Sequence, residues 1–477
     1  MNRRLLFLGI SAVCAMFIRA QDMDIVAQRD IQGSARYVGM AGAMTAVGGD
    51  PSAVLDNPAG LGIYRHSEVA FSLSPSWNKH YQYEIPDNMQ QTNRFNIAQA
   101  SFVFSFGETF KERGLLFNNI MLSYHRLADL NRSYLAAGLQ TELSLAEIIA
   151  NNTNGLTDLQ VSDENRWANI DVGWLSCQGY DTYLINPIDN KHWTSVTNYL
   201  PVTNSIQVQE TGYVNAYGFT WGGNISNKLY IGATLNILSY YRNQTVRYFE
   251  RIEKDCDLLN ETYFSQSAVG INGVFGFLYH PLTWLRVGAS FQTPGMITTT
   301  STNYGTLSAS LYLQDTLRTF YSSSPQNSIT ESKQLFPMRV SSGVAFQFQR
   351  YGLISLQYDY AHSALMQDVH TLKVGLEGVI CHNYFINAGY AYESMFKTMK
   401  PEELSYNTVR TDANTQYILS SQYGSIGGGY RNRIVAAHLA YQLRYQQMDV
   451  FAHELVEVPY DIRALTHRLV FTLTLHW

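Results

Sequence analysis

Seven ionisable residues fall where the side chains of alternating segments turn away from an apolar face. They are Arg286, Arg339, Asp359, Lys373, Glu377, Arg444 and Arg468. A cationic subset could hold a ligand carboxylate. Both signs occur together, which favours a network of ion pairs that holds other parts of the chain. Other chemistry lacks its residues. There is no CxxC pair, no HExxH and no His-rich tract, so no metal or cofactor is expected. Gly39, Gly42 and Gly48 have neither a following Lys-Ser/Thr nor a preceding strand, which removes a phosphate loop. No local Ser/His/acid arrangement survives strand geometry, so the chain is not expected to be an enzyme. A pI near 6.2 leaves no basic surface for nucleic acid. The adjacent amides Asn118 and Asn119 put a polar group on the lipid-facing side of one strand. They predict a local kink there.

The elements that must carry these residues follow from composition and period. Charged residues make up 15% of 477, against about 25% in soluble proteins. Tyr (33), Phe (23) and Gly (34) fill the deficit. Arg3 and Arg4 precede an apolar run from Leu5 to Ile18, followed by polar residues. Residues 1–20 therefore read as a cleaved export signal. Its loss takes away three basic residues and leaves a charge of −8. No later stretch is apolar enough for a membrane helix, which leaves a closed barrel or a soluble exported protein.

Alternation decides between them. Leu465, Leu469, Phe471, Leu473, Leu475 and Trp477 share one face of the last segment. Thr466, Arg468, Thr472, Thr474 and His476 share the other. The same period predicts fourteen strands: 67–77, 94–106, 115–127, 205–221, 228–243, 262–279, 284–293, 336–349, 352–361, 369–380, 384–395, 417–430, 433–446 and 463–477. Short turns alternate with long connections, the longest at 128–204 and 294–335. That asymmetry belongs to an outer-membrane barrel of a Gram-negative bacterium. Cys177 and Cys256 fall in two outer loops and could bridge, while Cys381 falls at a turn on the opposite side.

Residues 21–66 do not alternate. They are rich in small residues and carry Gly33-Ser-Ala-Arg36, Gly42-Ala43, Ala46, Asp50 and Asn57-Pro58-Ala59-Gly60-Leu61. Small side chains allow such a segment to fold inside a barrel. On these motifs the chain resembles the FadL family of outer-membrane transporters (OMPP1/FadL/TodX type). Looser similarity continues at Leu285–Pro294, Phe336–Gly343 and Tyr423–Tyr430. The resemblance implies an all-β, 14-stranded antiparallel transmembrane barrel over 67–477. It implies a hatch over 21–66 that plugs the lumen, with Arg36, Gly42, Asn57, Pro58, Ala59 and Gly60 as its characteristic residues.

It further implies passive uptake of a hydrophobic small molecule, a long-chain fatty acid or an aromatic hydrocarbon. Outer loops would capture the ligand, a pocket above the hatch would hold it, and a wall gap near a kinked third strand would release it. The expected surroundings are outer-membrane lipid and lipopolysaccharide, with a monomeric protein and no nucleic acid. The alternative is a barrel subunit of a secretion or surface-assembly complex, with a protein partner at the long loops. A general porin is disfavoured by the plug segment, and a TonB-dependent receptor by the plug's small size.

Overall fold

The computed structural model describes residues 29–107, 113–169, 171–197, 201–253, 256–313, 315–326, 328–349, 351–362, 368–381, 383–395, 415–452 and 458–477. The expected export signal 1–20 and residues 21–28 lie outside the described residues. Fourteen antiparallel strands form the wall. They are β1 (Glu68–Gln82), β2 (Gln90–Gly107), β3 (Leu115–Asp129, resumed as Arg132–Thr141), β4 (Val202–Ile225), β5 (Leu229–Glu253), β6 (Cys256–Leu282) and β7 (Leu285–Gln292, resumed as Gly295–Leu313). Then come β8 (Thr316–Ser323, Ser328–Phe336 and Met338–Phe348), β9 (Gly352–His362), β10 (Val369–Cys381), β11 (Tyr384–Met395), β12 (Thr415–Arg431), β13 (Val435–Phe451) and β14 (Tyr460–His476).

β14 pairs with β1 from Glu68↔His476 to Gln82↔Ile462, so the first and last strands close the sheet. The Trp477 amide donates to the Ser67 carbonyl at 3.1 Å, which extends that closure by one residue. The turns after β2, β4, β6, β8, β10 and β12 share one end of the barrel with this junction. Each of the fourteen expected strands overlaps an observed one.

The period-two pattern has the expected physical result. On β14, Phe471, Leu473 and Leu475 are exposed, whereas Arg468, Thr472 and Thr474 are buried. Exposed apolar residues recur on the outer side of the strands, among them Phe102, Phe104, Leu235, Ile237, Phe275, Phe277, Leu372 and Ile426. A soluble protein would not leave this belt in water. Several strands run well beyond the nine to eleven or so residues that cross a bilayer. β5 and β6 have 25 and 27 residues. The stretch 294–335, expected as an outer loop, is largely strand that prolongs this wall. Pro294 and Pro337 interrupt β7 and β8 at the same level, because neither can donate to the ladder.

Inside, residues 29–66 cross the lumen and are almost entirely buried. They contain a short helix α1 (Ala35–Gly39) and two 3-10 turns, Ala53–Leu55 and Pro58–Ile63. Glycines on the wall let this backbone come close. A Cβ on Gly222 would lie 2.8 Å from Leu61 Cβ, and one on Gly375 would lie 2.9 Å from the Met40 carbonyl oxygen. Side chains at Gly232, Gly276, Gly288 and Gly389 would collide with Pro58, Asn57, Thr45 and Met40. These glycines sit opposite one another in the sheet: Gly222↔Gly232, Gly232↔Gly276, Gly288↔Gly343 and Gly375↔Gly389.

The long connection between β3 and β4 forms a second folded unit. It holds α2 (Leu145–Thr153), α3 (Asp158–Ser162), α4 (Trp174–Asp181) and a two-stranded ribbon, Ile185–Pro187 with Trp193–Ser195. Ser144 and Glu147 make a capping box at the start of α2, and Thr157 and Gln160 make one at α3. Leu145, Ile149, Val161, Leu175, Cys177, Leu184 and Trp193 are buried here. They join one apolar cluster with inward residues of the wall, including Tyr134, Ile206, Tyr248, Leu258, Leu307, Met448 and Ile462.

Candidate functional site

The N-terminal segment is tied to the lumen by charge. Arg36 meets Glu377 of β10 through two bonds, Nε to Oε2 at 2.6 Å and Nη2 to Oε1 at 3.0 Å. Its remaining nitrogen donates to the Gly49 carbonyl at 3.1 Å. Asp30 receives Arg444 Nη1 at 2.8 Å and lies 3.6 Å from Arg468 Nη2. Asp56 pairs with Arg29 at 2.8 Å and accepts the Tyr37 hydroxyl at 2.8 Å. Lys373 bonds Asp359 at 2.7 Å and faces Asp56 at 3.8 Å. Arg286 donates to the Val47 carbonyl at 3.1 Å. Arg339 adds positive charge beside Asp359. Of the seven lumen residues expected from the alternation, Arg286, Lys373, Glu377, Arg444 and Arg468 face this segment directly, whereas Asp359 pairs with Lys373 and Arg339 lies beside Asp359. The opposite charges satisfy one another, since a buried charge left unpaired is costly.

Sequence reasoning missed the segment's own partners, Arg29, Asp30 and Asp56. The available signal was that a small-residue segment bound for a charged lumen must carry complementary charges. Asn57 explains its motif. Its Oδ1 accepts the Ala59 amide at 3.0 Å and caps the Pro58–Ile63 turn. Its Nδ2 donates to the Thr45 carbonyl at 2.8 Å and to the Phe277 carbonyl of β6 at 2.9 Å. One amide therefore fixes the turn and binds it to the wall. Gly42 has φ 72°, where a side chain is strained. Gly60 packs on Gly48, leaving 2.9 Å between a Cβ placed there and the Gly48 Cα.

The third strand is interrupted, but not at Asn118 and Asn119. Both pair regularly on each side, with Phe106 and Ser105 of β2 and with Gly223 and Gly222 of β4. Asn119 turns inward and donates to the carbonyls of Leu61 and Tyr64 at 2.8 and 3.0 Å. Asn118 turns outward and accepts from the Trp221 indole. Both amides find partners, so neither forces the strand out of line. The ladder with β4 is irregular on either side of them, at a register shift between Leu115 and Phe117 and at a bulge between Arg126 and Ala128, and the strand itself breaks between Asp129 and Arg132.

That break opens the wall. β2 and β3 pair only from Gly107↔Phe117 to Gln99↔His125. Beyond this, residues 90–98 of β2 pair with β1 alone. The resumed part of β3 stays paired with β4 but passes behind β1, where the Gln82 side chain brackets the Ala137 backbone at 2.9 and 3.1 Å. Across the mouth of the resulting seam, the Asn96 amide reaches the Asp129 carboxylate at 2.7 Å. Phe95, Ile97 and Met89 are exposed along its β2 side.

The thiols do not bridge. Cys177 and Cys256 are both free. Cys177 is buried in α4, and that burial pushes its thiol up to about 12. Cys256 lies half-buried at the tip of the β5–β6 hairpin.

No family model and no curated protein sequence matches the chain. Solved structures do. A Pseudomonas aeruginosa FadL homologue aligns with a TM-score of 0.53 at 10% identity, covering 94% of this chain and 99% of that one. The Ralstonia pickettii toluene transporter TbuX aligns with a TM-score of 0.51 at 12% identity, with coverage of 94% and 99%. The P. putida toluene transporter TodX aligns with a TM-score of 0.50 at 13% identity, again over 94% and 99%. With its closed wall, its apolar belt and this likeness, the chain has the fold of the FadL-type outer-membrane barrels.

Proposed function

We propose that this protein is an outer-membrane channel for passive uptake of hydrophobic small molecules, long-chain fatty acids or aromatic hydrocarbons. The observation that carries the reading is the seam between β2 and β3, set in a barrel whose lumen is crossed by residues 29–66. A molecule that enters the barrel meets this segment, held by glycine contacts and buried ion pairs, and the seam offers a way out sideways into lipid. In this reading residues 21–66 are the hatch and the outer loops capture the ligand. The exit suits apolar cargo, because Phe95 and Ile97 flank it and burying such surface contributes roughly 25 cal/mol per Å². The similar solved structures include toluene transporters and a monoaromatic hydrocarbon channel, which supports the same substrate class.

The test is uptake into liposomes carrying the purified protein. Radiolabelled oleate, toluene and a sugar such as maltose are compared at low and high ionic strength. Saturable entry of oleate or toluene, little changed by salt, is expected. Entry of maltose without either hydrophobic probe would refute the reading.

A further inference from the structure

The folded unit between β3 and β4 differs from the N-terminal segment in how it is held. Both its ends leave the wall at one point, because Thr141 and Val202 are directly paired at the end of the β3–β4 ladder. The chain between them is joined covalently to the barrel at that single doorway. Polar contacts fasten it to the wall both beside this doorway, where Asn204 pairs with Glu250, and farther round. Glu250, on the inner face of β5 and fully buried, is the main one. Its carboxylate accepts the Ser144 hydroxyl, the Leu145 amide at 3.0 Å and the Tyr248 hydroxyl at 2.7 Å. The first two belong to the first turn of α2, so one anion pins the start of that helix. Weaker ties lie farther round. Gln178 Nε2 donates to the Gly305 carbonyl of β7 at 2.7 Å, and Ser322 of β8 donates to Asp181 at 2.8 Å.

These contacts stand outside the membrane. Beyond Tyr241 the outward residues of β5 are Asn243, Thr245, Arg247, Phe249 and Arg251, so the continuous apolar run ends nine positions before Glu250. Water can therefore take over the carboxylate's bonds when the unit lifts, and the apolar cluster beneath draws it back. We propose that this unit, residues 142–169 and 171–197, is a lid over the outer mouth, and that Glu250 is the positioning residue that latches its base beside the doorway. A ligand then reaches the lumen only when the latch lets go. This rests on the uptake reading, but it can be tested apart from transport.

Cys177 supplies the reporter, since it is buried where the lid meets the wall cluster. The mature chain with Cys256→Ser and Cys381→Ser keeps this one thiol. Its alkylation by N-ethylmaleimide is followed in protein held in outer-membrane lipid, with the heat-modifiable band of the folded barrel monitored alongside. Slow labelling is expected, rising roughly ten- to hundredfold in Glu250→Gln because a charged acceptor of three bonds becomes a neutral one. Added oleate or toluene should also raise labelling in the unmutated lid. Ser322→Ala provides a variant on the far edge should Glu250→Gln fail to assemble, with a smaller rise expected. Two results would overturn the lid: Cys177 reacting as fast as a surface cysteine in the unmutated chain, or equal labelling with and without the Glu250 change in a folded barrel. If labelling follows the latch while neither oleate nor toluene enters liposomes, the lid stands and the uptake reading falls.

Discussion

Replacing Gly389 with Ala adds one methyl group to the inner wall at a place where backbone already lies. The new Cβ would fall 2.5 Å from the Ala41 nitrogen and 2.7 Å from the Met40 oxygen. Ordinary contact needs about 3.4–4.0 Å, so roughly 1 Å of movement is required from atoms that cannot rotate aside. Overpacking of this kind costs about 1–3 kcal/mol. The wall is a continuous ladder, so the strain falls mainly on the N-terminal segment. A cost of about 2 kcal/mol would raise the fraction of molecules with a displaced segment some thirtyfold. Gly375 is the direct partner of Gly389 and also faces Met40, so the double substitution should be non-additive. Gly424 on β12 serves as control, because a Cβ there meets nothing within 4 Å. The assay is ion conductance across planar bilayers, with urea unfolding of the same preparations. Gly389→Ala should leak and unfold at lower urea, and Gly424→Ala should do neither. A tight, equally stable Gly389→Val barrel would refute the claim that these glycines seat the segment.

Three further outcomes follow from the contacts. Arg36→Ala strands Glu377 in a site where both side chains are about 9% exposed, and should cost about 3–5 kcal/mol of urea stability; a loss below about 1 kcal/mol would show that water replaces the pair. Asn119→Leu should cost about 1–3 kcal/mol for each of the two carbonyls it leaves without a donor, while Asn118→Val on the outer face should change stability by under about 0.5 kcal/mol; the reverse order would return the outward amide to importance. Asn96→Cys with Asp129→Cys, joined by a short bis-maleimide, should close the seam and abolish oleate and toluene uptake, and undiminished uptake would remove the seam from the path.

The strands were legible wherever one face meets lipid. Leu469, Phe471, Leu473 and Leu475 can alternate with Thr and Arg because the two faces have different solvents. Above the membrane the outer face meets water and the inner face is apolar only where the β3–β4 unit packs on it, so the signal fades. Thr298, Thr299, Thr300, Ser301 and Thr302 are strand residues in the upper part of β7, yet they read as loop. The charges of the lumen were found for the same reason as the strands, since each opposes an apolar neighbour two faces away. Asn118 and Asn119 misled because amides disfavour a strand only when they lack partners, and here Leu61, Tyr64 and Trp221 supply them. The true break, Asp129-Leu-Asn-Arg132, mixes polarity without period. The helices of the lid did leave a trace, in Ser144…Glu147 and Thr157…Gln160, two capping boxes inside what read only as a long connection.

The paired glycines of the wall also constrain the order of assembly. The segment they receive precedes β1 in the chain, whereas the strands they belong to run from β4 to β11. Its backbone lies against those strands without room for a side chain between. A finished cylinder would have to be threaded through a gap narrower than the thread. A wall wound about a mandrel already in place avoids that, and the last stitch, β14 onto β1, joins the strand next to the mandrel.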